Sequence, residues 1–462
     1  MFVRAEQAVK DLIEMRRSVE TGDTLSIEFR KYLLISLRDS IIKYEEQIYE
    51  ALYKDLKKSR EEAYATEIGQ LLSEIRITLK NIHKWSAPQP VKTNLLNFPS
   101  SSKIIRDPLG VVLIIAPWNY PFLLLLKPLI GAIAGGNTVM LKPSELASSS
   151  SSLLEKMIRE TFSRRYVSIV CGDGRKTVQP LMEIFRFDHV FYTGSTSVGK
   201  IIYQLAAQRL TPVTLELGGK SPVVVEKDAS IAIAAKRIAL GKFINAGQTC
   251  VAPDYLLVHS SVKTRFLQKL QESIKNFYGP DPKESNSYGR IVNEKSFDRL
   301  MSYLDGVKIL YGGIHDRQTL FISPTIIEEV ALDAAIRQEE IFGPVLPVFT
   351  YENMNDALEL IAENPSPLAF YVFTQDPNLA KSWINKMSFG GGCVNNTIWQ
   401  LSNHHLPFGG IGCSGIGAYH GKQSFERFTH AKPVMSTPTW FDPGIKYPPF
   451  DGKLKWFKKM IR

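Results

Sequence analysis

The chain has 462 residues, of which 44% are hydrophobic and 22% charged, with a formal net charge of +10. This composition is ordinary for a soluble globular protein of roughly two to four domains, and the charge excess draws an anionic cofactor, a membrane surface or nucleic acid without choosing among them. Four cysteines (Cys171, Cys250, Cys393 and Cys413) without a CxxC pair exclude a disulfide framework and fit a reducing cytoplasm, and a single adjacent histidine pair, His404 and His405, with no ligands at metal spacing excludes a metal centre.

The first segment, MFVRAEQAVKDLIEMRRSVE, mixes charges with apolar residues at helical spacing and lacks the unbroken apolar core of a signal peptide, so export is not expected. Residues 4–85 read as helices, with Leu33, Leu34, Leu37, Ile41 and Ile42 recurring every three or four positions. SAPQPVKTNLLNFPSSSK, rich in Pro and Ser, reads as an excursion from this helical layer. Five runs follow (VVLIIA, NTVMLK, YVSIVC, DHVFYT and PVTLEL), separated by helix-like segments, which predicts a parallel sheet covered on both faces. The stretch from Leu109 to Ala134 holds one charge, Lys127, and passes a crude length test for a membrane span. Pro117, Pro121 and Pro128 argue against a span. The residues instead predict a strand at 111–116, a turn, and a helix opening at Pro121. Lys127 is expected to extend its chain end to water.

A second alternation runs from Ser221 to about Asn396 through PVVVE, YLLVHS, LPVFTY, AFYVFT and GGCVNN, and predicts another α/β domain. Two glycine motifs mislead. GSTSVGKI, from Gly194, has Ile201 where a phosphate-binding loop needs Ser or Thr, although its strand–turn–helix setting still presents backbone N–H groups at Gly194 and Ser195 to a pyrophosphate. GIGCSG, from Gly410, follows LPFG rather than a strand and reads as a turn-rich segment. The end of the chain is Pro-rich and then basic. Lys446, Lys453, Lys455, Lys458, Lys459 and Arg462 face one acid, Asp451, and Leu454, Phe457 and Ile461 share a helical face. Such a tail packs over a partner subunit, stays solvated, or rests on an anionic membrane surface.

Three segments concentrate the chemistry. ELGGKSP puts Glu216 at a strand end before two glycines that allow close backbone approach to a ligand; NAGQTCVAP puts Cys250 after a small-residue turn; QEEIFGPVLPV carries Glu340 and Phe342 into a predicted strand. With APWNYP, GNTVMLKPSE, YTGSTSVGK and LPFGGIGCSG, all in order over about residues 25–435, the chain resembles the NAD(P)-dependent aldehyde dehydrogenases. RIVN, SFGGGCVNN and GAYHGKQSFERFTH resemble its class 3, fatty-aldehyde-dehydrogenase-like bacterial branch.

The resemblance implies a Rossmann-like open parallel sheet that binds the cofactor (residues 1–85 and 104–217). It also implies a bridging and oligomerisation segment at 86–103, a second α/β catalytic domain at 218–420, and a C-terminal segment at 421–462 with an oligomerisation role. It implies oxidation of a hydrophobic aldehyde (medium- or long-chain aliphatic, aromatic or terpenoid) to the carboxylic acid through a thiohemiacetal and a thioester on Cys250. Asn119 and the Cys250 backbone N–H would hold the oxyanion, and Glu216 would activate water. Trp118, Lys142, Glu145, Gly194, Ser195, Gly199, Leu217, Gly218, Glu340 and Phe342 match cofactor positions. NAD is expected because Glu145 disfavours a 2′-phosphate, with NADP the alternative. Tyr120, His405 and Phe408 are expected in the substrate funnel. The implied assembly is a cytoplasmic homodimer without metal, nucleic acid or a transmembrane segment. A coenzyme-A-acylating or acyl-phosphate reductase on the same fold is the rival reading, and such enzymes usually lack the glutamate; a non-enzymatic binding protein would be expected to lack one of Asn119, Glu216 and Cys250, and all three are present.

Overall fold

A computed structural model describes residues 2–461; Arg462, counted in the basic tail, lies outside the described residues. Helices Phe2–Glu20, Ile27–Lys43, Glu45–Leu56 and Gly69–Ser86 form the expected N-terminal layer. Within it, Arg60–Ala63 and Gly69–Ser86 are joined by one π-helical stretch, Tyr64–Ile68. The five β-branched runs become parallel strands Val111–Ile115, Thr138–Lys142, Val167–Ile169, His189–Thr193 and Val213–Glu216. Val111–Ile115 lies centrally, with Thr138–Lys142 and Val167–Ile169 to one side and His189–Thr193 and Val213–Glu216 to the other. The order therefore reverses between Val111–Ile115 and His189–Thr193, and the crevice beyond their carboxyl ends is where such a sheet accepts a ligand.

The stretch that passed a crude test for a membrane span is a buried strand, a loop and helix Pro121–Gly135. Pro121 opens the helix, where its missing N–H is harmless, while Pro128 sits inside it. The helix continues because packing supports it on all sides: its residues are buried except Leu123, and Gly131 lies so close to helix Lys422–Arg427 that an added Cβ would come within 2.7 Å of Ser424 Cβ. Among the described residues no helix is long and apolar enough to cross a membrane.

The second sheet contains the five expected runs as parallel strands Pro222–Val225, Tyr255–His259, Val345–Tyr351, Ala369–Phe373 and Gly391–Val394. It also contains two strands the alternation did not signal, Lys308–Tyr311 and Thr325–Glu328. Strand Gly415–Ile416 returns to the first sheet, antiparallel to Val213–Glu216, and Tyr419, Phe425 and Phe428 join the core around helix Pro121–Gly135. The chain thus rejoins the first layer from Gly415 onward. The Pro/Ser excursion is a strand, Gln89–Val91, paired with Ser101–Pro108, which in turn pairs along its full length with Thr429–Ser436. The tail ends in a short exposed helix, Leu454–Met460.

Candidate active site

The site has four parts around the carboxyl edge of the first sheet. The first part is the loop after Val111–Ile115. Its Asn119 is 2% exposed, and its Nδ2 donates to the Gln248 carbonyl oxygen at 3.0 Å. A second amide hydrogen remains on that nitrogen. The loop is clamped from below: Lys58 Nζ donates to the Asn119 carbonyl oxygen at 3.3 Å and to Glu67 Oε1 at 2.7 Å, and Asn245 Nδ2 donates to the same Asn119 carbonyl at 2.9 Å. Glu67 Oε2 in turn accepts the N–H groups of Phe122 and Leu123 at 2.9 and 3.1 Å. A buried ion pair therefore caps helix Pro121–Gly135, with the carboxylate at the positive end of the helix dipole.

The second segment carries Cys250. Asn245, Ala246 and Gly247 all take positive φ, a costly run that a dense hydrogen-bond set holds in place. Gln248 Nε2 donates to the Asn245 and Arg290 carbonyls at 3.0 and 2.9 Å, and its Oε1 accepts the Val292 N–H at 3.0 Å. The turn presents the Cys250 thiol to a cavity of about 1240 Å³, open mouth included. Burial, then Glu340 and Glu216, push the thiol pKa up, while the N–H groups of Cys250 and Val251 favour the thiolate.

The third segment ends in Glu216, which is 1% exposed, lines the same cavity and leaves both carboxyl oxygens without a protein partner. Burial raises its pKa well above the carboxylate range, with Arg427 opposing. Beyond it, an added Cβ on Gly218 would lie 1.9 Å from Glu340 Oε2, so the missing side chain makes the space that the Glu340 carboxyl occupies. Burial raises Glu340 to about 8, helped by Asp254 and opposed by the Gly219 N–H. Glu340 and Phe342 stand in the loop before Val345–Tyr351 rather than in the strand. That loop is held by Arg299, which donates to the carbonyls of Glu340 and Ile341 at 3.2 and 2.9 Å, and by Asp254, which accepts the Ile341 N–H at 2.9 Å. Phe342 meets Trp118 edge to face, with ring centroids 5.4 Å apart.

The fourth is the crevice. Lys142 Nζ donates to Glu145 Oε2 at 3.0 Å, and Glu145 Oε1 accepts the Gly174 N–H at 3.1 Å. Partial burial works against ionisation of Glu145, but the N–H groups of Glu145 and Gly174 and the Lys142 ammonium hold its pKa below the usual range. Gly194 has no room for a side chain, since a Cβ would lie 2.3 Å from Tyr192 Oη. Ser195 caps helix Thr196–Ala207, and a Cβ on Gly199 would press on Leu217 at 2.5 Å. A helix N-terminus beside a side-chain-free turn fits a pyrophosphate, and a paired Lys and Glu offer donor and acceptor to a ribose.

Of the expected funnel residues, Tyr120 and Phe408 line the cavity; His405 is exposed and stands outside it. Tyr120 Oη is 2.6 Å from Thr249 Oγ1, next to the thiol. Lys127 does not reach water: it is buried and lines the cavity. Lys58, Glu67, Asn245 and Thr249 were not anticipated, because in sequence their polar side chains look like those of any solvated helix or loop.

The profile of the Aldehyde dehydrogenase family matches residues 4–434. The chain is 48% identical over 444 residues to 4,4'-diaponeurosporen-aldehyde dehydrogenase of Staphylococcus aureus, covering 96% of each chain. It is 43% identical to the dimeric NADP-preferring aldehyde dehydrogenase of Canis lupus familiaris, covering 95% of this chain and 97% of that one. A solved structure of the substrate-bound state of Staphylococcus aureus AldH superposes with a TM-score of 0.96 at 46% identity, covering 98% of this chain and 99% of the other.

Proposed function

The chain belongs to the aldehyde dehydrogenase family, and from that premise we propose that Cys250, Asn119 and Glu216 carry its NAD(P)-dependent oxidation of an aldehyde to the carboxylic acid. The observation that supports this most directly is that the Cys250 thiol and the unpartnered Glu216 carboxyl open into one cavity. The Cys250 thiolate attacks the aldehyde carbon, and the new oxyanion takes hydrogen bonds from the Cys250 N–H and the free hydrogen of Asn119 Nδ2. A dinucleotide held in the crevice would supply the hydride acceptor and a positive charge that favours the thiolate. Loss of hydride from the tetrahedral carbon leaves a thioester on Cys250. Glu216, once ionised, takes a proton from water; the hydroxide adds to the thioester carbon, the C–S bond breaks, and the acid leaves with the thiolate restored. The rival acyl-transfer reductases usually lack this glutamate.

Lys142 and Glu145 would hold the adenosine ribose. Gly194, Ser195 and Gly199 would lie by the pyrophosphate, with Leu217 and Gly218 flanking, Glu340 on the nicotinamide ribose, and Trp118 and Phe342 beside the ring. The ionised Glu145 repels a 2′-phosphate, which favours NAD over NADP. Leu123, Leu124, Leu240, Ile244, Trp399 and Phe408 give the cavity an apolar wall suited to a medium- or long-chain aliphatic, aromatic or terpenoid aldehyde. A panel of such aldehydes, each assayed with NAD and NADP, tests this: kcat/KM rising with hydrophobic chain length and higher with NAD supports it, and preference for short polar aldehydes or for NADP contradicts it.

A homodimer is supported by Thr429–Ser436, an edge strand paired on one side only. Four free thiols suit the cytoplasm. The exposed Leu454, Trp456 and Ile461 among lysines support peripheral contact of the tail with anionic membranes. Sedimentation with anionic liposomes, with and without residues 446–462, decides that point: equal, negligible pelleting removes it.

A further inference from the structure

One side of helix Pro121–Gly135 looks into the cavity, through Leu123, Leu124 and Lys127. Lys127 is the one charged residue of this helix and is 4% exposed. Its ammonium faces Glu74 Oε2 at 4.0 Å, and among the described residues it makes no hydrogen bond. Glu74 is engaged elsewhere, its Oε1 accepting the Gly421 N–H at 2.8 Å. Adjoining Gly421, His420 also lines the cavity at 4% exposure. Its ring stacks on Phe408 with centroids 5.1 Å apart, and its Nδ1 has no partner.

Two buried polar groups with unused hydrogen-bonding capacity therefore face a cavity whose other walls are largely aliphatic and aromatic. Burying such groups is unfavourable unless something in the cavity completes them. Burial lowers the Lys127 pKa to about 8, with Glu74 opposing. Burial and then Lys127 push His420 well below its ordinary value, so its imidazole is neutral and can both donate and accept.

Charge decides what fits. Glu74 already balances Lys127, so a carboxylate brought to Nζ would be repelled by Glu74, whereas a neutral oxygen would not. Resting on the reading of this cavity as the aldehyde channel, we propose that Lys127 and His420 form a polar subsite selecting an aldehyde whose hydrocarbon chain carries a second, uncharged oxygen function, a hydroxyl or a carbonyl. Lys127 follows Tyr120 by seven residues, roughly 10 Å along the helix axis.

The test compares kcat/KM with NAD for dodecanal, for its hydroxy and keto derivatives substituted at successive carbons, and for the ω-carboxylate. The subsite predicts at least one hydroxy or keto derivative about tenfold better than dodecanal, with the carboxylate worse than dodecanal. Lys127→Met should abolish that preference, and Lys127→Gln, which keeps a donor, should retain part of it. If Lys127→Met does not fold, the Lys127→Met/Glu74→Gln double variant removes both charges together and serves in its place. Equal rates for substituted and plain aldehydes, or a preference that survives in Lys127→Met, would overturn the subsite alone. No turnover of any member by the wild-type enzyme would overturn the channel reading and the subsite with it.

Discussion

Asn119 Nδ2 donates to the carbonyl oxygen of Gln248 at 3.0 Å, joining the loop after the first parallel strand to the turn that carries the thiol. Asn245 Nδ2, donating to the Asn119 carbonyl, and Tyr120 Oη, paired with Thr249 Oγ1, tie the same two segments, and the Asn119 donor is also the proposed oxyanion ligand. Asn119→Ala should lower kcat/KM by about a hundredfold to a thousandfold, the usual cost of losing one such donor. Steady-state kinetics check this, with NAD binding measured by fluorescence as the control. A loss below about tenfold would remove Asn119 from the oxyanion site.

Lys58 and Glu67 have fully buried side chains 2.7 Å apart, and they hold both the Asn119 carbonyl and the start of helix Pro121–Gly135. Breaking a buried pair by removing one partner typically costs about 3–5 kcal/mol. Lys58→Met should therefore destabilise strongly in urea unfolding, and the Lys58→Met/Glu67→Gln double variant should recover part of the loss. A double variant no more stable than the single one would show that the two charges are not coupled.

Glu340 supplies a pH signature. Its carboxyl has a folded pKa of about 8 against an ordinary value of 4.5, with burial as the first cause. Between those values the folded protein holds a proton that the unfolded chain has released, so this group's contribution makes stability fall as pH rises through the window and level off above it. Glu340→Gln should flatten that part of the pH dependence of the melting temperature and raise KM for NAD. An unchanged slope would show that Glu340 ionises normally.

Much of this was legible in sequence because its signals are local. The β-branched runs marked the five parallel strands of the first sheet, and the prolines at 117, 121 and 128 separated a strand–loop–helix from a bilayer span. The glycine pair after Glu216 signalled close approach, and the structure shows Glu340 in the space that Gly218 leaves. What escaped depends on long-range packing. Lys58 and Glu67 sit in a charge-rich stretch that reads as solvated, and a π-helical segment turns Glu67 inward. Lys127 was expected at water, but the return of the chain at 415–428 closes over its helix. His405 is expected in the funnel with Tyr120 and Phe408, yet the cavity takes Tyr120, Phe408 and His420 instead. Strand Lys308–Tyr311 is a partly exposed edge strand paired antiparallel to Thr325–Glu328, so it lacks the continuous buried apolar run that marks the parallel strands.

The division of labour between Cys250 and Glu216 is the centre of the account, and pre-steady-state NADH formation by Glu216→Gln tests it most directly. Acylation should survive and deacylation should fail, giving a burst of about one NADH per active site followed by a steady rate at least about a hundredfold below wild type. In the wild-type enzyme the steady rate should rise with pH as the strongly raised Glu216 carboxyl ionises, and the variant should lose that rise. A Glu216→Gln enzyme that turns over at the wild-type steady rate, with the same pH profile, would contradict the assignment of Glu216 as the base that releases the acid.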